Sequence, residues 1–88
     1  MLVLLQSEFK QIASEGDLAS FAQKYGLIGS TSTGASNIYV GLAAGQSIEV
    51  RERWWDPSSV YSVQRDEHEV ILLIENVETS RIRFTGNS

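Results

Sequence analysis

The chain has 88 residues, of which 42% are apolar and 20% charged, and its formal net charge is −4. This length suits one small domain with little stability in reserve, and the composition is typical of a globular protein. With seven lysines and arginines and no cysteine, the chain is a poor candidate for general nucleic-acid binding, and disulfides, thiolate nucleophiles and cysteine-ligated metals are excluded.

Residues 1–28 have the apolar spacing of two helices. In the first helix, four side chains share a face: Leu5, Phe9, Ile12 and Ala13. In the second helix, the shared face consists of Leu18, Phe21, Ala22 and Tyr25. We expect Gly16 to end the first helix, Asp17 to cap the second, and Gly26 to end the second, with Leu27 folded back on its last turn.

The apolar residues 1–5 are too short to span a bilayer and lack the flanks of a signal peptide. We therefore expect a cytoplasmic protein without a membrane segment.

Residues 29–36 are rich in glycine, serine and threonine and are predicted to form a loop. Residues 37–85 alternate as strands do, and residues 86–88 form a polar tail. The predicted strands cover residues 38–42, 48–54, 60–64, 70–74 and 81–84, with turns at 44–46, 56–59, 65–68 and 76–80. The predicted fold is a single α+β domain, with two N-terminal helices packed on one face of a four- or five-stranded, mainly antiparallel β-meander.

Two adjacent tryptophans, Trp54 and Trp55, end the second predicted strand. Because consecutive side chains of a strand point to opposite faces, Trp54 is expected in the core with Ile48 and Val50. Trp55 is then expected on the outer face. The predicted partner-binding residues are Trp55, Arg51, Arg53, Arg81 and Arg83. Arginine and tryptophan are enriched at binding hot spots, and arginine recognises carboxylates with paired hydrogen bonds. The alternative is a solvated face on which acids such as Glu49 pair with the arginines.

Residues 21–27 resemble the first helix and turn of a helix–turn–helix motif. The recognition helix would then run through Gly29 and Gly34, in a stretch that is poor in helix formers. Residues 29–36 also lack the lysine of a phosphate-binding loop.

The consecutive residues Asp66, Glu67, His68 and Glu69 include possible metal ligands. Neighbours on a strand diverge, however, and the chain has no second histidine for a familiar zinc site. We therefore expect no metal and no cofactor.

No nucleophile elbow or paired-acid site is evident, so the sequence favours a non-enzymatic protein. The interpretation is a small, acidic protein-interaction module, in the manner of inhibitors and immunity-type proteins. Its partner is an unknown protein or a second copy of itself, and nucleic acid is disfavoured. Two alternatives remain open: a DNA-binding regulator that uses the N-terminal helical pair, and a structural homodimer.

Overall fold

The computed structural model describes residues 2–32, 36–55 and 67–85. Two helices, α1 (Leu2–Phe9) and α2 (Glu15–Lys24), precede five strands. The strands are β1 (Ile28–Ser32), β2 (Ser36–Ala43), β3 (Gln46–Trp55), β4 (Glu67–Ile74) and β5 (Val77–Thr85). They form one antiparallel sheet in the order β1-β2-β3-β4-β5. The predicted α+β fold is confirmed, with five strands. The strand predicted over residues 60–64 and the turn over 56–59 lie outside the described residues.

The start of α2 differs from the prediction. Its N-cap is Ser14, whose Oγ accepts a hydrogen bond from the Asp17 amide at 3.1 Å. Asp17 lies in the first turn, where its Oδ2 accepts from the Ala13 amide at 2.9 Å. Gly16 is therefore a residue of α2, not the end of α1. Ser14 thus satisfies one amide that a helix start leaves free, and Asp17 bonds back to the residue before the N-cap, in an arrangement close to a capping box.

The predicted end of α2 agrees with the structure. Gly26 has a φ of 69°, a conformation that glycine adopts without steric cost. Its amide donates to the Gln23 carbonyl at 3.2 Å, and the Leu27 amide donates to the Ala22 carbonyl at 2.8 Å. This is the Schellman arrangement. It folds the buried Leu27 back onto the helix and directs the chain into β1.

The loop predicted over residues 29–36 is wrong in part, because residues 28–32 form β1 and Ser36 begins β2. Gly29 pairs with Tyr39, and a Cβ built on Gly29 would lie 2.7 Å from the Tyr39 ring. The glycine thus makes room for the tyrosine across the strand pair. Pairing with β2 imposes a strand that the composition of the segment does not indicate. The turn predicted at 65–68 is also corrected, because β4 already includes Glu67 and His68.

The helices cover one face of the sheet and enclose the core. Buried helical side chains pack in one cluster with Ile48 and Val50 of β3, Val70 and Leu72 of β4 and Phe84 of β5. The helical members of the cluster are Leu5, Phe9, Leu18, Phe21 and Ala22, and Ile12, from the connection between α1 and α2, packs with them. The face covered by the helices is called the inner face below, and the opposite one the outer face.

Two-residue turns close the β2–β3 and β4–β5 hairpins. In the β2–β3 turn, Ala44 and Gly45 have φ values of 52° and 76°, and in the β4–β5 turn Glu75 and Asn76 have 52° and 68°. Two consecutive positive φ values are typical of a type I′ turn, which favours asparagine and glycine. Ala44→Asn is therefore expected to raise the free energy of unfolding by about 0.5–1 kcal/mol, measured by urea denaturation.

The matched control is Asn76→Ala, which removes a favourable residue from the other hairpin. It is expected to lower the free energy of unfolding by a similar amount, roughly 0.5–1 kcal/mol. If both substitutions shift stability in the same direction, backbone conformation does not govern these turns.

Candidate functional sites

The sheet register places the four predicted binding arginines on the outer face. Arg51 of β3 and Arg81 of β5 flank Ile71, and Arg53 and Arg83 flank Glu69 in the next row. Residues directly opposite one another in an antiparallel sheet share a face, so the four guanidinium groups form two neighbouring pairs.

Three of these arginines have acidic partners on the same face. Arg51 Nε donates to Glu49 at 2.7 Å, Arg81 contacts Glu69 and Glu78 at 2.9 Å each, and Arg83 lies 3.3 Å from Glu69. The Arg81 hydrogen bonds hold the pKa values of the Glu69 and Glu78 carboxyls below their usual range. Arg53 has no ion pair with any residue that the structure describes. Arg53 and Arg83 line a cavity of about 180 Å³ together with Glu67, His68 and Glu69.

The other end of the outer face is apolar. Ile28 of β1 pairs with Val40 of β2, and Leu42 follows two residues along the strand. These side chains are 75%, 49% and 72% exposed, respectively. No described helix covers them, because the helices pack on the inner face. The outer face therefore combines a row of arginines with an uncovered apolar patch.

The tryptophan prediction has a mixed outcome. Trp54 lies on the inner face, half-buried, with its ring 5.7 Å from that of His68. Trp55 is the last residue of β3, and its backbone pairs with Glu67. The side chain of Trp55 lies outside the described part of the chain, so its outward orientation stays a prediction.

The structure separates the possible metal ligands that are adjacent in sequence. Glu69 lies on the outer face with Arg81 and Arg83, whereas the buried His68 lies on the inner face. Asp66 lies outside the described residues. The recognition helix of a helix–turn–helix would need residues 29–34, of which 29–32 belong to β1.

A different cluster forms on the inner face, from residues far apart in sequence. It consists of Glu15 at the start of α2, Glu52 of β3 and His68 of β4. Oε2 of Glu15 and Oε2 of Glu52 each lie 2.8 Å from His68 Nδ1. Glu52 is fully buried and His68 nearly so, whereas the Glu15 side chain is 47% exposed. We call Glu15, Glu52 and His68 the inner cluster.

Two carboxyl groups share the inner cluster, and the structure separates their pKa values. Burial, together with the neighbouring Glu52, raises the pKa of Glu15 to about 7. Burial also acts to raise the pKa of Glu52, but hydrogen bonds with Glu15, Asn37 and His68 outweigh it and hold that pKa below its usual range. Glu52 is thus the ionised member, and the Glu15 carboxyl keeps a proton up to neutral pH.

Neighbouring side chains fix the orientation of the two buried members. Asn37 Nδ2 donates to Glu52 Oε1 at 2.9 Å, which leaves Oε2 directed at the histidine. The His68 ring stacks on Phe84 with centroids 4.8 Å apart and an angle of 8° between the planes. Trp54 lies against the same ring. The inner cluster is therefore positioned before any ligand arrives.

Part of the inner cluster had a signal in the sequence. Glu52 alternates in phase with Val50 and Trp54, and His68 alternates in phase with Val70 and Leu72. An acid and an imidazole at core positions of two strands indicate a buried polar pair. Glu15 gave no such signal, because its approach depends on how α2 docks on the sheet.

The raised pKa of Glu15 predicts a pH dependence of stability. The folded state binds the Glu15 proton more tightly than the unfolded state does. The contribution of this proton to the free energy of unfolding is therefore fully present below pH 4.5 and is lost as the pH rises through about 7. For a buried group the loss would be roughly 3 kcal/mol, and at this half-exposed site we expect about 1 kcal/mol because solvent screens the charge. The groups that face Glu15 are Glu52, His68 and Tyr39.

Urea denaturation at pH 5, 6, 7 and 8 in the presence of a chelator measures this dependence, with Glu15→Gln as the comparison. The wild type is expected to lose stability relative to Glu15→Gln between pH 5 and pH 8. Parallel curves for the two proteins would show that Glu15 does not carry the extra proton.

Among the described residues, no helix is long and apolar enough to cross a membrane. Comparison with protein-family models, curated proteins and solved structures finds no match.

Proposed function

We propose that this chain is a non-enzymatic protein-interaction module that binds its partner with the outer face of the sheet. The supporting observation is the juxtaposition, on that one face, of two arginine pairs and an apolar patch that no described helix covers. Exposed apolar side chains that cluster beside polar groups are typical of interaction surfaces.

The partner that fits this surface is a protein with acidic side chains next to an apolar patch. Arg53 is free of ion pairs with described residues, and Arg83 is 72% exposed with one contact at 3.3 Å. These two guanidinium groups are the most available donors for an incoming carboxylate. Ile28 and Leu42 supply apolar area at the other end of the face, about 13 Å and about 20 Å, respectively, from the row of Arg53 along the strands.

The arginines that already have acidic partners contribute differently. Glu69 and Glu78 hold the Arg81 side chain in place through hydrogen bonds of 2.9 Å. A guanidinium held in this way loses less side-chain entropy on binding than a free one. Arg81 therefore presents a fixed surface beside the two more available arginines.

The test compares variants that leave the core intact. The tag-free chain, an Arg53→Glu variant, a Leu42→Glu variant and a Lys10→Glu control are each immobilised and exposed to an extract of the organism that encodes the chain. Lys10 is exposed and lies beyond the end of α1, away from the outer face. We expect one protein to be retained by the wild type and by Lys10→Glu, and to be lost with both outer-face variants.

Three results would contradict the proposal. They are retention of the same proteins by all four chains, loss of binding with Lys10→Glu, and no specific retention by the wild type. Sedimentation velocity of the wild type at several concentrations tests the alternative that the chain is a structural homodimer. Self-association that Leu42→Glu abolishes would replace the heterologous partner with a second copy of the chain.

A further inference from the structure

The inner cluster brings one imidazole nitrogen and two carboxylate oxygens together from three separate elements. All three ligand atoms lie within 4.8 Å of one another, and both oxygens lie 2.8 Å from the same nitrogen, His68 Nδ1. An imidazole nitrogen has a single in-plane lone pair or proton, so it cannot make a linear hydrogen bond to both oxygens. A cation between the three atoms would contact all of them, in place of the proton that Glu15 and Glu52 share in the metal-free chain.

The spacing suits a small divalent ion. Metal bonds of about 2.1 Å to nitrogen and carboxylate oxygen place neighbouring ligand atoms about 3.0 Å apart at a bond angle of 90°, and about 3.4 Å apart at the tetrahedral angle that Zn²⁺ prefers. The 2.8 Å separations of the inner cluster are shorter than these values by about 0.2–0.6 Å. Binding would therefore move both carboxylates, that of the half-exposed Glu15 and that of the buried Glu52, slightly away from His68 Nδ1.

The surroundings match those of ligands in known types of metal site. Asn37 orients the Glu52 carboxylate, and Phe84 and Trp54 hold the plane of the His68 ring. Such outer contacts fix ligands and strengthen metal binding. The Glu15 side chain is 47% exposed, so solvent reaches this edge of the inner cluster.

We propose that Glu15 Oε2, Glu52 Oε2 and His68 Nδ1 bind one divalent first-row transition metal ion, with Zn²⁺ as the representative and water completing its coordination. The nitrogen ligand favours this class over Mg²⁺ and Ca²⁺, which prefer oxygen ligands. The ion would join the start of α2 to β3 and β4. It would therefore stabilise the docking of the helix on the sheet.

The single histidine of the chain makes the test direct. Tag-free protein freed of metal with a chelator is titrated with ZnCl₂, by calorimetry and by NMR of the ¹⁵N-labelled imidazole. We expect one Zn²⁺ per chain, a shift of the Nδ1 resonance that marks coordination at this nitrogen, and a higher melting temperature. Coordination at Nε2, or no binding at one equivalent, would overturn the proposal.

Two matched variants locate the ion. Glu15→Gln changes a half-exposed ligand at the start of a helix and is expected to weaken Zn²⁺ binding by at least about tenfold, while circular dichroism shows a folded chain. Glu69→Gln removes an acid next to His68 in sequence but on the outer face, and is expected to leave Zn²⁺ affinity unchanged. Loss of binding with Glu69→Gln, or full binding by Glu15→Gln, would place the ion elsewhere and overturn the assignment.

Discussion

Replacing His68 with alanine is expected to lower the free energy of unfolding by about 3–5 kcal/mol, even when a chelator removes metal ions. The His68 ring fills the space between Phe84 and Trp54, so its removal leaves a cavity in the inner face. It also removes a hydrogen-bond partner 2.8 Å from the fully buried Glu52 carboxylate. Leaving a buried charge without its partner costs more free energy than the lost hydrogen bond contributed to stability.

A second substitution separates the two causes of this loss of stability, the cavity and the unpartnered charge of Glu52. In the His68→Ala background, Glu52→Gln is expected to restore roughly 1–2 kcal/mol, because the neutral amide needs no compensating proton donor and retains an oxygen for Asn37. Urea denaturation of the two single variants and the double variant completes the cycle. If Glu52→Gln restores nothing, the loss comes from the cavity and ring packing alone.

Residue periodicity predicted the elements in which the buried side chains recur at the regular spacing of a helix or a strand. The apolar face of α2 and the alternation along β3 both follow from residue spacing, and the structure buries Leu18, Phe21 and Val50 as expected. The same alternation puts Arg51 and Arg53 on the outer face. In these elements, local spacing and tertiary packing favour the same conformation.

Local signals were insufficient where tertiary contacts decide the structure. Gly16 is a poor helix former, yet the pairing of Ser14 with Asp17 starts the helix before it. The segment 28–32 has the composition of a loop, and pairing with β2 makes it a strand. In both cases a hydrogen-bonding partner outweighs the intrinsic preference of the residues.

Local signals were also insufficient to predict the inner cluster, whose members are the proposed metal ligands. Two of its members occupy core positions that alternation identifies, but the third comes from the start of a helix 37 residues before Glu52. No spacing rule joins a helix terminus to the middle of a distant strand. The convergence of the three side chains depends on the angle at which α2 crosses the sheet, which only the three-dimensional structure reveals.

Phe9→Ala is the second substitution with a large expected effect, a loss of about 3–5 kcal/mol in the free energy of unfolding. Phe9 is fully buried at the end of α1, and its ring meets that of Phe21 edge-on at a centroid distance of 5.9 Å. A domain of this length has a total stability of roughly 4–13 kcal/mol. The substitution should therefore remove a large share of it.

Leu4→Ala is the matched control on the same helix, because the Leu4 side chain is 52% exposed. It is expected to change stability by less than about 1 kcal/mol. Alanine favours helix formation at both positions, so helix propensity cannot account for a loss in Phe9→Ala. Equal effects of the two substitutions would show that α1 is not docked through Phe9.

Native-state amide exchange adds a second criterion. If α1 belongs to the cooperative core, Phe9→Ala should reduce the protection of the β4 amides and of the α1 amides by the same free energy.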